Sequence, residues 1–293
     1  MRRWWAIVRA TALEIASEPL ALLLTLSASA LAVLTPAFHY HQFGEASRMA
    51  RDAGLSALMV GSLAFAIFCT VKSVRREIES GTLEMALSHP VSRTAFFLSK
   101  VLGAALACLV FAVTVTAVSL TTVNGAEIGG RIAAATGDVA QLYRPSLAVA
   151  VAAVVASPVI AAALNRFARF RYSLTAVVTA LVLSVAGVCY RPDAALAARF
   201  LPAAAMLVLP AVVFVTAAAA AAVRWRANAA TSALGLLFAA ALPALGNYYL
   251  SDALSRGGSV AWSHVALAAA LTAPLVAGFA LLGIHFFKGR DIA

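Results

Sequence analysis

Side chains able to bind or react are concentrated in one polar stretch, from Lys72 to Lys100. The stretch reads KSVRREIESGTLEMALSHPVSRTAFFLSK and mixes acids, bases and hydroxyl groups with a few large apolar residues. The sequence contains neither H-E-x-x-H nor G-x-S-x-G, and no paired acids lie within its apolar blocks. The polar stretch therefore favours binding to a partner protein, where a few anchor residues supply most of the affinity.

The first half of this stretch predicts a helix, a break and a second short helix. Ser73 to Ser80 continues the preceding apolar helix as a charged extension, and Gly81 breaks that helix. Thr82 can cap a short helix over Leu83–Leu87 by accepting a hydrogen bond from a backbone N–H group.

The second half predicts the end of the short helix and the start of the next long one. Pro90 ends the short helix, because proline cannot continue it, and Ser92 can cap the apolar helix that follows. The short helix would then project beyond the two long apolar helices and offer three side chains to a partner: Leu83, Glu84 and Leu87.

The rest of the sequence has the composition of an all-α polytopic membrane protein. Of its 293 residues, 63% are hydrophobic and 12% are charged, whereas a soluble domain carries roughly 25% charged residues. The apolar residues form long blocks, which favour spanning helices over the alternating strands of a barrel. About eight spans are predicted, with six as the alternative because prolines interrupt the fifth and sixth. The eight are 20–38, 53–71, 101–123, 147–164, 173–190, 203–223, 229–249 and 263–286.

The basic residues predict the topology of these spans. With the N-terminus inside, fifteen of the 22 Lys and Arg residues lie in cytoplasmic segments and seven lie outside. The net charge of +10 is then explained by the membrane rather than by nucleic acid. We predict one transmembrane domain over 1–293 in a bacterial cytoplasmic (inner) membrane, with both termini in the cytoplasm. Gly125 and Gly129 are placed in a polar loop after the third span.

Residues 1–19 precede the first span and predict an amphipathic elbow helix on the cytoplasmic surface. One face of that helix carries apolar side chains, and Pro19 permits a sharp turn into the span because it biases Glu18 away from helix. A basic leader without a fixed structure is the alternative. Candidate membrane-interface residues are Trp4, Trp5, Val8 and Ile15.

Metal and cofactor chemistry has little support in the sequence. His39 and His41 form an H-x-H pair that could ligate copper or zinc. The alternative, which we favour, is a pair of interfacial residues at the outer end of the first span. The three cysteines form no C-x-x-C pair. No cofactor is predicted for this chain.

The polar stretch resembles a known signature. The residues concerned are Glu77, Glu79, Gly81-Thr82-Leu83, Leu87-Ser88, Pro90-Val91-Ser92-Arg93 and Lys100-Val101-Leu102-Gly103. This run is similar to the cytoplasmic signature of ABC transporter permeases of the type-2 exporter class. The amphipathic N-terminal segment and the short basic tail from Lys288 to Asp291 also resemble that family.

The resemblance implies that the loop at 72–100 carries a coupling helix, which docks in a cleft of a separate ATP-binding subunit. The sequence has no G-x-x-x-x-G-K-[ST] motif, so ATP and Mg²⁺ are expected on that subunit, and the chain is not expected to be an enzyme. The implied complex pairs two ATPase subunits with two copies of this chain, or with this chain and a related permease. The residues placed at the ATPase contact are Glu77, Glu79, Gly81, Thr82, Leu83, Glu84, Leu87, Pro90 and Arg93.

The resulting prediction is the permease subunit of an ATP-driven ABC transporter, with export as the implied direction. The near absence of charge within the spans argues against a proton-coupled pump. A membrane scaffold, or an inactive partner permease in a heteromeric complex, is the alternative. An intramembrane enzyme is the third possibility, and it lacks a catalytic motif.

Overall fold

A computed structural model of the chain describes residues 2–35, 46–80, 92–136, 144–247 and 260–289. The described residues are almost entirely α-helical, and no strand occurs among them. The helices are α1 (Arg2–Ala16), α2 (Pro19–Leu34), α3 (Ala46–Glu79), α4 (Arg93–Thr136), α5 (Arg144–Ala168), α6 (Tyr172–Tyr190), α7 (Ala194–Arg224), α8 (Ala227–Asn247) and α9 (Trp262–Lys288).

The helices confirm the prediction of an all-α polytopic membrane protein. Within the described ranges, six helices are long and apolar enough to cross a membrane: α3, α4, α5, α6, α7 and α9. The number rises to seven if α1 and α2, which are separated by a bend, count as one broken span. The six or seven spans found lie between the predicted number of about eight and its alternative of six. The last predicted segment before α9, 229–249, coincides with α8, of which only Ala227–Leu237 is assessed for crossing.

Two helix boundaries follow from local sequence as predicted, and one does not. Glu18 is extended (φ −74°, ψ 137°), and Pro19 occupies the first turn of α2, where a missing N–H costs nothing. Ser92 caps α4 by accepting a hydrogen bond from the Ala95 N–H at 3.2 Å. The loop prediction for Gly125 and Gly129 is wrong, because α4 continues through both glycines to Thr136.

The described residues divide into two compact units, to which α3, α4 and α7 each contribute part of their length. The first unit takes residues from Met1–Ala16, Ser62–Leu109 and Val208–Ala293. Its core is an aromatic cluster in which Phe96 and Phe97 pack with Phe287, beside Ala219 and Val223. The ring of Phe96 stacks on that of Phe287 with centroids 6.1 Å apart, a favourable separation for aromatic pairs.

The second unit takes residues from Ser17–Gly61 and Val110–Leu207. Here α5 packs extensively against α6, and both contact α2. Small residues bring the helices close: a methyl group added at Gly61 would lie 2.7 Å from the ring of Phe111. Buried hydroxyls in α4 bond to their own helix, as Thr122 does to the Val118 carbonyl at 3.0 Å, so their burial leaves no polar group unsatisfied. The interpretation of 1–293 as one transmembrane domain stays a prediction.

Candidate coupling site

The candidate site consists of the ends of α3 and α4 that flank the predicted coupling helix. The helix α3 ends at Glu79, as the break at Gly81 predicts, and α4 begins at Arg93. The connection between them falls largely outside the described residues. The predicted contact residues in it are Gly81, Thr82, Leu83, Glu84, Leu87 and Pro90, and their roles stay predictions.

A buried lysine joins three helices at the base of this connection. The side chain of Lys100, on α4, is only 7% exposed. Its ammonium group forms an ion pair with Glu77 near the end of α3, and it lies 3.5 Å from Glu14 Oε2 on α1. It also lies 6.0 Å from the centroid of the Phe96 ring, within range of a cation–π contact. This charge cluster therefore fixes α1, α3 and α4 to one another.

One turn further along α4, Gly103 allows α1 to approach closely. A methyl group added at Gly103 would lie 2.8 Å from the Val8 carbonyl oxygen and 2.6 Å from Thr11 Cβ. Real Cβ atoms essentially never come so close to another heavy atom, so only glycine fits without a shift of the helices. Lys100 and Gly103 lie three residues apart and thus share one face of α4. On that face Lys100 forms an ion pair with α1, and Gly103 lets the α1 backbone pack closely.

The start of α4 is also tied to the end of α9. Arg93 Nη1 donates a hydrogen bond to the Lys288 carbonyl oxygen at 3.3 Å. The aromatic cluster adjoins this hydrogen bond, because Phe96 and Phe97 lie one turn beyond Arg93 and Phe287 directly precedes Lys288. Gly283 receives the ring of Phe97 so closely that an added methyl group would overlap it.

The predicted interface residues that are described have partners within the chain. Glu77 pairs with Lys100, and Arg93 binds the end of α9. Glu79 is exposed and accepts a hydrogen bond from Arg75 Nη2 at 2.8 Å, an (i, i+4) pair that supports the last turn of α3. Glu79 and Arg93 are exposed, whereas Glu77 is half-buried.

The apolar face of the predicted elbow helix α1 is buried against other parts of the chain. Val8 and Ile15 are buried, whereas Trp4 is half-buried and Trp5 is exposed. The two tryptophan rings meet edge to face, with centroids 5.5 Å apart. A membrane-interface role for Trp4 and Trp5 stays a prediction.

Sequence reasoning missed Glu14, Lys100 and Gly103 as members of this site. The signal for two of them was present, because Lys-x-x-Gly belongs to the signature run and its spacing puts both residues on one helix face. Glu14 carried no such signal, because its partner lies far away in sequence and is brought near only by tertiary packing.

A second polar cluster lies in the other unit, at the start of α7. Asp193 Oδ1 accepts a hydrogen bond from the Leu196 N–H at 3.0 Å, and Arg131 lies 3.4 Å from its other oxygen. The backbone bond is the main reason why the pKa of Asp193 is lowered, and Arg131 adds to it. Glu127 pairs with Arg131 and Arg199 at 3.3 and 3.7 Å. In this cluster Asp193 caps the start of α7, and the acidic side chains form ion pairs with the arginines.

Metal ligation finds no further support. Among the described residues, no three His, Cys, Asp or Glu side chains come together in a way that could hold a metal ion. The H-x-H pair, His39 and His41, lies outside the described ranges.

A scan against protein-family models matches residues 10–187 to the family described as ABC-2 family transporter protein. That match covers more than half of the chain. The chain belongs to the ABC-2 transporter family. As a member, it is an ABC transporter permease, a multi-pass membrane protein that serves transport. Searches of curated proteins and of solved structures found no match.

The matched stretch of this ABC-2 permease includes the whole polar stretch and the last seven residues of α1. It therefore contains Glu14, Glu77, Lys100 and Gly103, as well as the connection between α3 and α4. Members of this permease family are membrane subunits for transport and are not themselves catalytic. In the described part of this site, the charges of Glu14, Glu77 and Lys100 are paired and the aromatic side chains are packed together.

Proposed function

We propose that this ABC-2 permease is the membrane subunit of an ATP-driven exporter, and that the connection between α3 and α4 docks in a separate ATP-binding subunit. The observation that carries the proposal is the cluster around Lys100, which anchors both flanks of that connection. ATP and Mg²⁺ bind to the partner subunit, since this sequence lacks a phosphate-binding G-x-x-x-x-G-K-[ST] loop. The assembly contains two permease chains and two ATPase subunits in a bacterial inner membrane, with both permease termini in the cytoplasm.

Lys100 links the two helix ends that flank the α3–α4 connection. The Lys100 side chain is only 7% exposed, so separating it from its two partners would leave a buried charge uncompensated. Movement of the α3–α4 connection therefore displaces the end of α3, the start of α4 and α1 together. Gly103 supports this unit, since close packing between α1 and α4 leaves little room for one helix to slide past the other.

The proposal gives the predicted interface residues two roles. Glu77 and Arg93 position the connection, because their charges are already engaged within the chain. Glu79, Thr82 and Glu84 supply polar contacts to the ATPase subunit. Leu83 and Leu87 supply the apolar anchors, as a few buried apolar residues dominate most protein interfaces. Gly81 and Pro90 set the ends of the coupling helix.

Co-purification with the ATP-binding subunit tests the proposal. Two variants alter the coupling helix, Gly81→Pro by changing its entry and Glu84→Lys by reversing its charge. Matched controls are Gly257→Pro and Asp252→Lys, in a loop predicted on the opposite side of the membrane. We expect the first two variants to lose the ATPase subunit and the controls to retain it. Equal recovery with all four variants would refute docking through this connection.

A further inference from the structure

The turn between α5 and α6 presents arginine and aromatic side chains in alternation. It runs from Asn165 to Tyr172 with the sequence NRFARFRY. Phe167 is 87% exposed, Phe170 is 57% exposed and Tyr172 is 38% exposed. The three arginines between them are also exposed: Arg166, Arg169 and Arg171.

The turn has a defined and strained backbone. Arg169 has a φ of 55°, the one positive value found among the described non-glycine residues. The Asn165 side chain holds this geometry by donating a hydrogen bond from Nδ2 to the Phe170 carbonyl at 2.7 Å. The Arg169 N–H also bonds to the Asn165 carbonyl at 3.1 Å. Glycine is the usual residue for this conformation at a helix end, so an arginine here points to a use for its side chain.

The position of the turn restricts what it can meet. Both flanking helices, Pro145–Ala168 and Tyr172–Tyr190, are candidate membrane spans. Only residues 169–171 separate them, so the turn cannot extend far beyond the boundary of the bilayer. Exposed aromatic rings are typical of that boundary, where their apolar bodies enter the acyl region.

The positive charge of the three arginines indicates that the turn binds an anion. The sequence has no acidic residue between Asp138 and Asp193, so the three arginines have no counter-charge on their own helices. Guanidinium groups bind phosphate oxygens in pairs and are weakly hydrated. An anionic phospholipid supplies both the phosphate and the acyl chains that such a surface fits.

We propose that the 165–172 turn binds the headgroups of anionic phospholipids. Arg166, Arg169 and Arg171 bind phosphate oxygens, while Phe167, Phe170 and Tyr172 enter the boundary between headgroups and acyl chains. The proposed lipid site shares no residue with the coupling site, and its binding of lipid does not require the ATPase subunit. It fixes the depth of α5 and α6 in the membrane and gives this permease a lipid preference.

The test is a lipid titration of the delipidated full-length chain in detergent, followed by native mass spectrometry. We expect wild type to bind phosphatidylglycerol in preference to phosphatidylcholine. The variant R166Q/R169Q/R171Q should lose affinity for phosphatidylglycerol by about a hundredfold, since each basic residue at a membrane surface contributes about a factor of five. A lysine version, R166K/R169K/R171K, keeps the charge but loses the paired guanidinium hydrogen bonds, so its affinity should lie between those of wild type and R166Q/R169Q/R171Q.

Control variants distinguish binding at this turn from general attraction between basic residues and anionic lipid, and from loss of folding. The variant R131Q/R199Q removes two exposed arginines that already pair with Glu127, and we expect unchanged phosphatidylglycerol affinity. Size-exclusion profiles should match wild type for every variant. Equal affinity of wild type and R166Q/R169Q/R171Q, or equal affinity for both lipids, would overturn the proposal. Displacement of the lipid by excess inorganic phosphate would overturn the assignment to a lipid.

Discussion

Lys100 Nζ lies 3.5 Å from Glu14 Oε2, although the two residues are distant in sequence. The same ammonium group pairs with Glu77. One side chain thus links the N-terminal helix, the end of α3 and the start of α4. Since the proposed coupling helix joins α3 to α4, this link lies where a force from a docked subunit would enter the permease.

Replacing Lys100 with methionine should destabilise the permease. The change leaves Glu14 and Glu77 close together without a counter-charge, at a cost of about 2–3 kcal/mol. This is less than for a fully buried pair, because both carboxylates keep some contact with solvent. Unfolding in detergent, monitored by circular dichroism during an SDS titration, measures the loss.

Two further variants show whether the ion pairs cause that loss. Lys288→Met removes an exposed lysine side chain and should leave the unfolding midpoint unchanged. Adding Glu77→Gln and Glu14→Gln to Lys100→Met removes the uncompensated charges and should recover part of the stability. An unchanged midpoint for Lys100→Met itself would show that the cluster does not support the fold.

Gly103→Ala should loosen the packing of α1 on α4. Its new methyl group would meet the Val8 carbonyl and Thr11 at less than 3 Å, and overpacking of this kind costs about 1–3 kcal/mol. The matched change Gly278→Ala lies in open space and should be neutral or slightly stabilising. Equal unfolding midpoints for the two variants would contradict the close approach.

The sequence predicted features set by neighbouring residues and missed those set by distant ones. Pro19 and Ser92 act at helix starts as expected, because capping involves only the first turn. The pairing of Lys100 with Glu14 depends on how α1 folds back along α4, and no local pattern encodes it. Gly125 was placed in a loop because its surroundings are polar, but the helical hydrogen bonds of α4 continue through it.

Asp193 should make the start of α7 sensitive to acid. Its pKa is lowered, first by the Leu196 N–H bond, so its stabilising effect is present above the ordinary aspartate pKa of about 4. That effect is lost as pH falls through the lower value in the folded state. Asp193→Ala should cost about 1 kcal/mol near pH 7.

The pH dependence of unfolding checks the role of Asp193. The difference in unfolding midpoint between wild type and Asp193→Ala should shrink as the pH falls below about 4. Asp193→Ser keeps a capping oxygen without a charge and should retain most of the stability at all pH values. A difference that stays constant with pH would rule out a contribution from the carboxylate charge.

Arg169→Gly should stabilise the fold while weakening lipid binding. Glycine adopts the positive φ of this residue freely, so relief of backbone strain contributes about 1 kcal/mol. The matched change Arg171→Gly acts at an ordinary backbone conformation (φ −64°, ψ 117°) and should lower stability slightly. SDS unfolding measures the first effect, and phosphatidylglycerol titration measures the second. A lower unfolding midpoint for Arg169→Gly would contradict the strain.

ATP turnover by the permease reconstituted in nanodiscs with its ATP-binding subunit tests the coupling proposal most directly. Three versions are compared: wild type, Glu84→Lys in the coupling helix and Asp252→Lys in the predicted outer loop. We predict that Glu84→Lys lowers ATP turnover by about tenfold, since reversing the charge of one interface residue costs about 1.4 kcal/mol. Asp252→Lys should leave turnover unchanged. Equal turnover in all three would contradict coupling through this connection and support a scaffold that does not use ATP.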